Sequence, residues 1–85
     1  MTSIHSSAYA VIIDALVAAR KATPMTQVEL AEIWKKSQPI IAKIEQRERR
    51  LDVAEFLELC DILNANPTDI IRTAHLAMKK EKFGN

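Results

Sequence analysis

The sequence predicts an all-α domain of five helices, and three observations carry that prediction. The only glycine is Gly84, in the tail, whereas tight hairpins between strands depend on glycine in their turns. Helix start signals recur along the chain, with "MTQVEL" and "LDVAEF" the clearest. Apolar residues also return at three- and four-residue spacing in the longer segments. A chain of 85 residues is read as a single domain, near the lower end of what one core can stabilise.

The first helix is expected over about 6–22. Ser6 or Ser7 caps it, and Tyr9, Ile12, Ile13, Leu16 and Val17 form one apolar stripe. Pro24 stops it by disfavouring helical geometry at the residue before it. The second helix, about 27–34, starts with Thr26 as N-cap and Glu29 completing a capping box, with Met25 and Leu30 placed as a hydrophobic staple. It ends where Trp34 gives way to the polar "KKS". The third, about 38–46, starts at Ser37 or Gln38, with Pro39 tolerated in the first turn.

"LDVAEF" repeats the start signal for a fourth helix, about 53–64: Asp52 and Glu55 make the box, Leu51 and Phe56 the staple. Its buried face is expected to hold Val53, Phe56, Leu57, Cys60 and Leu63. "NANP" ends it. Asn66–Pro67 opens a fifth helix, about 67–81, with Asp69 completing a box-like start and Ile70, Ile71, Ala74 and Met78 facing inward. Trp34 is expected in the core, and Cys60 as inert packing on an apolar face.

Composition excludes several classes. One cysteine, Cys60, leaves no intramolecular disulfide framework and suits a reducing compartment. "AYAVIIDALVAA" lacks a preceding basic region, and Asp14 interrupts it, so a signal peptide is not expected. No apolar run approaches the length of a membrane span. A cytoplasmic protein without membrane attachment is the expectation. His5 and His75 are too isolated to suggest a metal site. No nucleophile–base pair or glycine-rich phosphate loop appears, so neither an enzyme nor a cofactor is expected.

A net charge of +1 hides a division along the chain. Lys35, Lys36, Lys43, Arg47, Arg49 and Arg50 face only Glu45 and Glu48 in their segment. Beyond it come Asp52, Glu55, Glu58, Asp61 and Asp69 with no Lys or Arg among them. The basic segment surrounds the third helix. Two short helices joined by about four residues form a helix-turn-helix if the second crosses the first steeply. The N-terminal end of the second can then enter a major groove.

That end carries Ser37, Gln38, Ile40 and Lys43, the base-reading candidates. Gln suits adenine's N6 and N7, Lys suits guanine's O6 and N7, and an aliphatic group suits a thymine methyl. Ile41 and Ile44 point to the core. Lys35, Lys36, Arg47, Arg49 and Arg50, with Gln27 as a neutral donor, are the phosphate candidates, which supply affinity and register.

"ARKATPMTQVELAEIW", "SQPIIAKIEQRERR" and "LDVAEFLELCDIL" together resemble the lambda-repressor-like, or XRE (Cro-type), helix-turn-helix family, from about Ile12 to Ile71. The resemblance implies a five-helix DNA-binding domain acting as a dimer on a palindromic operator. It implies that Gln27 binds phosphate, that Ser37, Gln38 and Lys43 face bases, and that Arg20 and Glu45 form a partly buried ion pair. Three departures stand out: the family often has glycine at the positions of Pro24, Lys35 and Arg47. A left-handed backbone at Lys35 would cost on the order of 1 kcal/mol. Pro39 also removes an N–H from the third helix.

The expectation is therefore a sequence-specific DNA-binding transcriptional regulator, a small homodimeric repressor bound to double-stranded DNA. A restriction–modification controller fits the same class. A DNA-binding antitoxin with a toxin as its protein partner is a different class, and a helical interaction module without DNA affinity is a third. Leu76 and Phe83 fall off the buried stripe of the fifth helix, which makes them the dimer-interface candidates.

Overall fold

The computed structural model describes residues 6–84. Within them the chain is all-helical, with five helices and no strand: α1 (Ser7–Ala22), α2 (Gln27–Trp34), α3 (Gln38–Glu45), α4 (Val53–Ile62) and α5 (Pro67–Phe83). The two long helices, α1 and α5, pack along one another; α3 lies against α1 and α2, and α4 against α2 and α5. All five contribute to one core. Ile13, Leu16, Leu30, Trp34, Ile41, Ile44, Phe56, Leu59, Cys60 and Ile70 meet there, with Leu51 added from the α3–α4 loop. No described helix is long and apolar enough to cross a membrane.

Helix starts follow local chemistry. The Ser6 side chain accepts the Tyr9 N–H. Thr26–Glu29 and Asp52–Glu55 both form reciprocal capping boxes, each satisfying two backbone donors at once. Asn66 accepts from both Thr68 and Asp69 N–H groups. Asp69 does not return the bond to the Asn66 backbone; its carboxylate takes Arg72 at 3.1 Å instead. That start is a simple Asn cap followed by Pro67 at the first position, where a missing N–H costs nothing.

Helix ends follow a shared device. Lys35, Arg47 and Asn64 all adopt positive φ (61°, 62° and 56°). In each case the next residue's N–H reaches five residues back: Lys36 to Ala31, Glu48 to Lys43 and Ala65 to Cys60, at 2.8–2.9 Å. A left-handed residue turns the chain so that otherwise unpaired helix carbonyls are satisfied. Glycine would adopt this backbone without strain.

The first helix ends differently from the expectation. Thr23 keeps right-handed helical angles (φ −71°, ψ −17°), so Pro24 does not displace it. The ladder stops because Pro24 offers no N–H, and the chain then reverses with Met25 N–H on the Arg20 carbonyl at 2.9 Å.

Two apolar faces also differ from the expectation. On α4 the buried residues are Phe56, Leu59 and Cys60, followed by Leu63 beyond its end. Val53 and Leu57 are 75% and 50% exposed. On α5, Ile70 and Ala74 are buried and Met78 half-buried, while Ile71 is 48% exposed. The stripe in each case is narrower than the run of apolar residues. A helix turns 100° per residue, so Leu57 lies a quarter-turn from Phe56, beyond what α2 and α5 cover. The α4 helix also stops at Ile62, short of 64, because Asn64 turns left-handed.

Trp34 is buried, with its indole N–H donating to Glu58 Oε1 at 2.8 Å. Cys60 is buried as well, and burial pushes its thiol pKa up. A thiolate there is disfavoured, which makes this sulfur a poor nucleophile. The Tyr9 hydroxyl accepts the Leu51 N–H at 2.8 Å, tying α1 to the loop that follows α3.

Candidate nucleic-acid interface

The N-terminal end of α3 meets the start of α2 through Gln38 and Gln27. What joins them is a line of side chains running from α1 to α3. Arg20 donates to Glu45 through Nε (2.6 Å to Oε2) and Nη2 (2.9 Å to Oε1), and through Nη1 to the Met25 carbonyl at 2.8 Å. Gln27 Nε2 donates to Glu45 Oε1 at 2.8 Å, and Gln38 Nε2 donates to Gln27 Oε1 at 2.7 Å.

The direction of this line is dictated at its acidic end. An ionised carboxylate only accepts, so Gln27 must turn its amide nitrogen toward Glu45. Its oxygen then faces Gln38, which must answer with nitrogen. One Gln38 N–H is thereby committed. Its Oε1 and its second N–H remain, an acceptor beside a donor. That pairing is complementary to adenine's N6 amino group and N7.

Around Gln38 the other candidates divide. Ser37 is exposed at the N-cap of α3, and its hydroxyl makes no capping bond. Lys43, Lys35 and Arg50 are exposed. Lys36 is half-buried, with Nζ 5.0 Å from the centre of the Trp34 ring, a cation–π distance. Ile40 is half-buried and packs against the core cluster. Gln27 is engaged at both ends of its amide, which leaves one N–H for a phosphate. Arg47 is half-buried at the left-handed turn after α3.

Arg49, one of the phosphate candidates, also has a partner within the protein. Its guanidinium grips Glu55 with two parallel bonds of 3.0 Å and also reaches the Arg50 carbonyl at 3.3 Å. The two-pronged geometry suits arginine and carboxylate, and it staples the α3–α4 loop to the first turn of α4.

The Arg49 hydrogen bonds hold the Glu55 carboxyl pKa below its ordinary value, with the Asp52 N–H adding to the effect against an opposing push from burial. A carboxyl whose folded pKa is depressed adds stability above its unfolded value of about 4.3, and that stability is lost as pH falls through the lower folded value. Glu55→Gln should therefore lower stability at neutral pH and flatten the acid limb of the stability curve, as read by urea denaturation across pH. An unchanged acid limb would show that the pair carries no pH dependence.

None of the Arg49–Glu55, Trp34–Glu58 and Tyr9–Leu51 contacts was legible beforehand. Glu55 is visible in the sequence as a capping residue, but nothing marks its second partner. Among the described residues no group of His, Cys, Asp and Glu could hold a metal ion; His5 lies outside them. Leu76 and Phe83 stand exposed on α5, at 57% and 73%. No protein-family model matches the chain, and no curated protein matches it.

Proposed function

We propose that this chain is a sequence-specific DNA-binding regulator, a small dimeric repressor that presents α2 and α3 to a palindromic operator as a helix-turn-helix. The observation that carries the reading is the amide line ending at Gln38. A glutamine held by Gln27 and Glu45 offers its remaining donor and acceptor without first having to be ordered, and preorganisation of that kind favours discrimination between bases. Lys35, Lys43 and Arg50 add exposed positive charge suited to phosphates before, on and after α3. Ser37 adds an uncommitted hydroxyl. On this reading Arg20 and Glu45 are the frame of the site and make no contact with DNA.

Selection of bound sequences from random double-stranded DNA tests the proposal. An inverted repeat should be enriched, and affinity should fall steeply with salt as phosphate counterions are released. No enriched sequence, or affinity indifferent to salt, overturns it. An antitoxin or a restriction–modification controller would use the same surface, and an adjacent toxin or methyltransferase gene separates those roles.

A further inference from the structure

An open apolar groove of about 450 Å³ lies between α1, α4 and α5, and no described residue of α2 or α3 lines it. Val53 and Leu57, four apart on α4, line it together with Pro67 and Ile71, four apart on α5. Side chains four apart form a ridge on a helix surface, so the groove is flanked by one ridge from each helix. Phe56 is buried beneath them, while Val53, Leu57 and Ile71 stay about half exposed or more. A small molecule in a pocket buries most of its surface, and walls this open cannot provide that. A helix laid between two ridges covers them with its own side chains.

Charge narrows the choice of occupant. Among the described residues lining the groove, Asp52 is the one charged group. A smaller hollow shares Leu57 and Pro67 with it and adds Asp61, the next position along the Val53–Leu57 ridge. Both acids are exposed, and neither is in a salt bridge among the described residues. No described lysine or arginine lines either hollow. An uncompensated acidic rim repels nucleic acid and anionic lipid surfaces, and it favours a basic partner.

We infer that the groove takes an amphipathic helix of a partner protein, apolar along one stripe and carrying Lys or Arg at both ends of that stripe. From Val53 to Asp61 the α4 ridge rises about 12 Å. Apolar side chains at i, i+4 and i+7 of the partner cover nearly that length, and a base beyond each end meets Asp52 or Asp61. The groove shares no residue with the Gln38 surface, so the inference does not depend on whether the chain binds DNA.

Fluorescence anisotropy with the full chain tests it. The probe is a labelled synthetic peptide of about 16 residues, long enough to hold a helix once docked. It carries leucine at i, i+4 and i+7 with lysine flanking them, and a second peptide has glutamate in place of lysine. The lysine peptide should bind saturably, and the glutamate peptide at least about tenfold more weakly. Leu57→Glu should weaken the lysine peptide by a similar factor, with helical circular dichroism unchanged because Leu57 is half exposed. Asp61→Lys should shift the preference toward the glutamate peptide. A lysine suits the last turn of a helix, and neither misfolding nor general stickiness inverts a charge preference. Asp52 is left in place because it caps α4. No saturable binding, equal binding of the two peptides, or binding indifferent to Leu57→Glu overturns the inference. So does sedimentation showing a dimer that Leu57→Glu dissociates, since a second copy of the chain then fills the groove.

Discussion

Arg20→Met is expected to destabilise the protein by about 3 kcal/mol, the largest effect of any single change considered. The Arg20 and Glu45 side chains are only 10% and 14% exposed, so neither can recover its hydration when the other is removed. Methionine keeps most of the aliphatic volume and deletes three hydrogen bonds, two to Glu45 and one to the Met25 carbonyl. Glu45 would retain only Gln27. For a domain of this size each kcal/mol moves the melting temperature by about 4–8 °C, so thermal denaturation followed by circular dichroism should show a large shift. Arg20→Met with Glu45→Met should recover much of the loss, since replacing both members of a buried pair by apolar groups is often close to neutral. An Arg20→Met protein melting at the wild-type temperature would remove the pair from the account of stability.

Gln38→Ala is expected to cost about 1–3 kcal/mol on the best DNA site and to relax preference at one base position. Random DNA should be bound almost as before. Gln27→Ala should resemble it, because the Gln38 amide loses what orients it. The two changes together should cost less than their sum, as neighbours in one network do. Arg50→Ala should instead weaken all DNA alike and lower the salt slope by about 1. Arg50 is the better probe of phosphate contact than Arg49, whose guanidinium is held by Glu55. Equal losses for Gln38→Ala on specific and random DNA would show that Gln38 reads no base.

The features that could be read in advance are those settled within a few residues. Thr26 finds the Glu29 N–H, and Asp52 finds the Glu55 N–H, three positions away. A cap is chosen by chain geometry that any flanking sequence would preserve. The scarcity of glycine and the spacing of Ile13, Leu16, Ile41 and Ile44 belong to the same class, because helical period depends only on order along the chain. By itself, then, the sequence determined five helices, most of their starts and the larger part of the core.

Tertiary packing decided the rest. Leu57 and Leu59 are equally apolar, and only the position of the neighbouring helices leaves one exposed and buries the other. Arg49 and Arg50 are adjacent and identical in chemistry, yet Glu55 captures one and leaves the other in solvent. The line from Arg20 through Glu45 and Gln27 to Gln38 joins residues on three helices, and its pairing follows from how those helices cross. Local pattern sets which way a side chain points from its own helix. What it meets there depends on distances between elements, and no spacing along the chain encodes them.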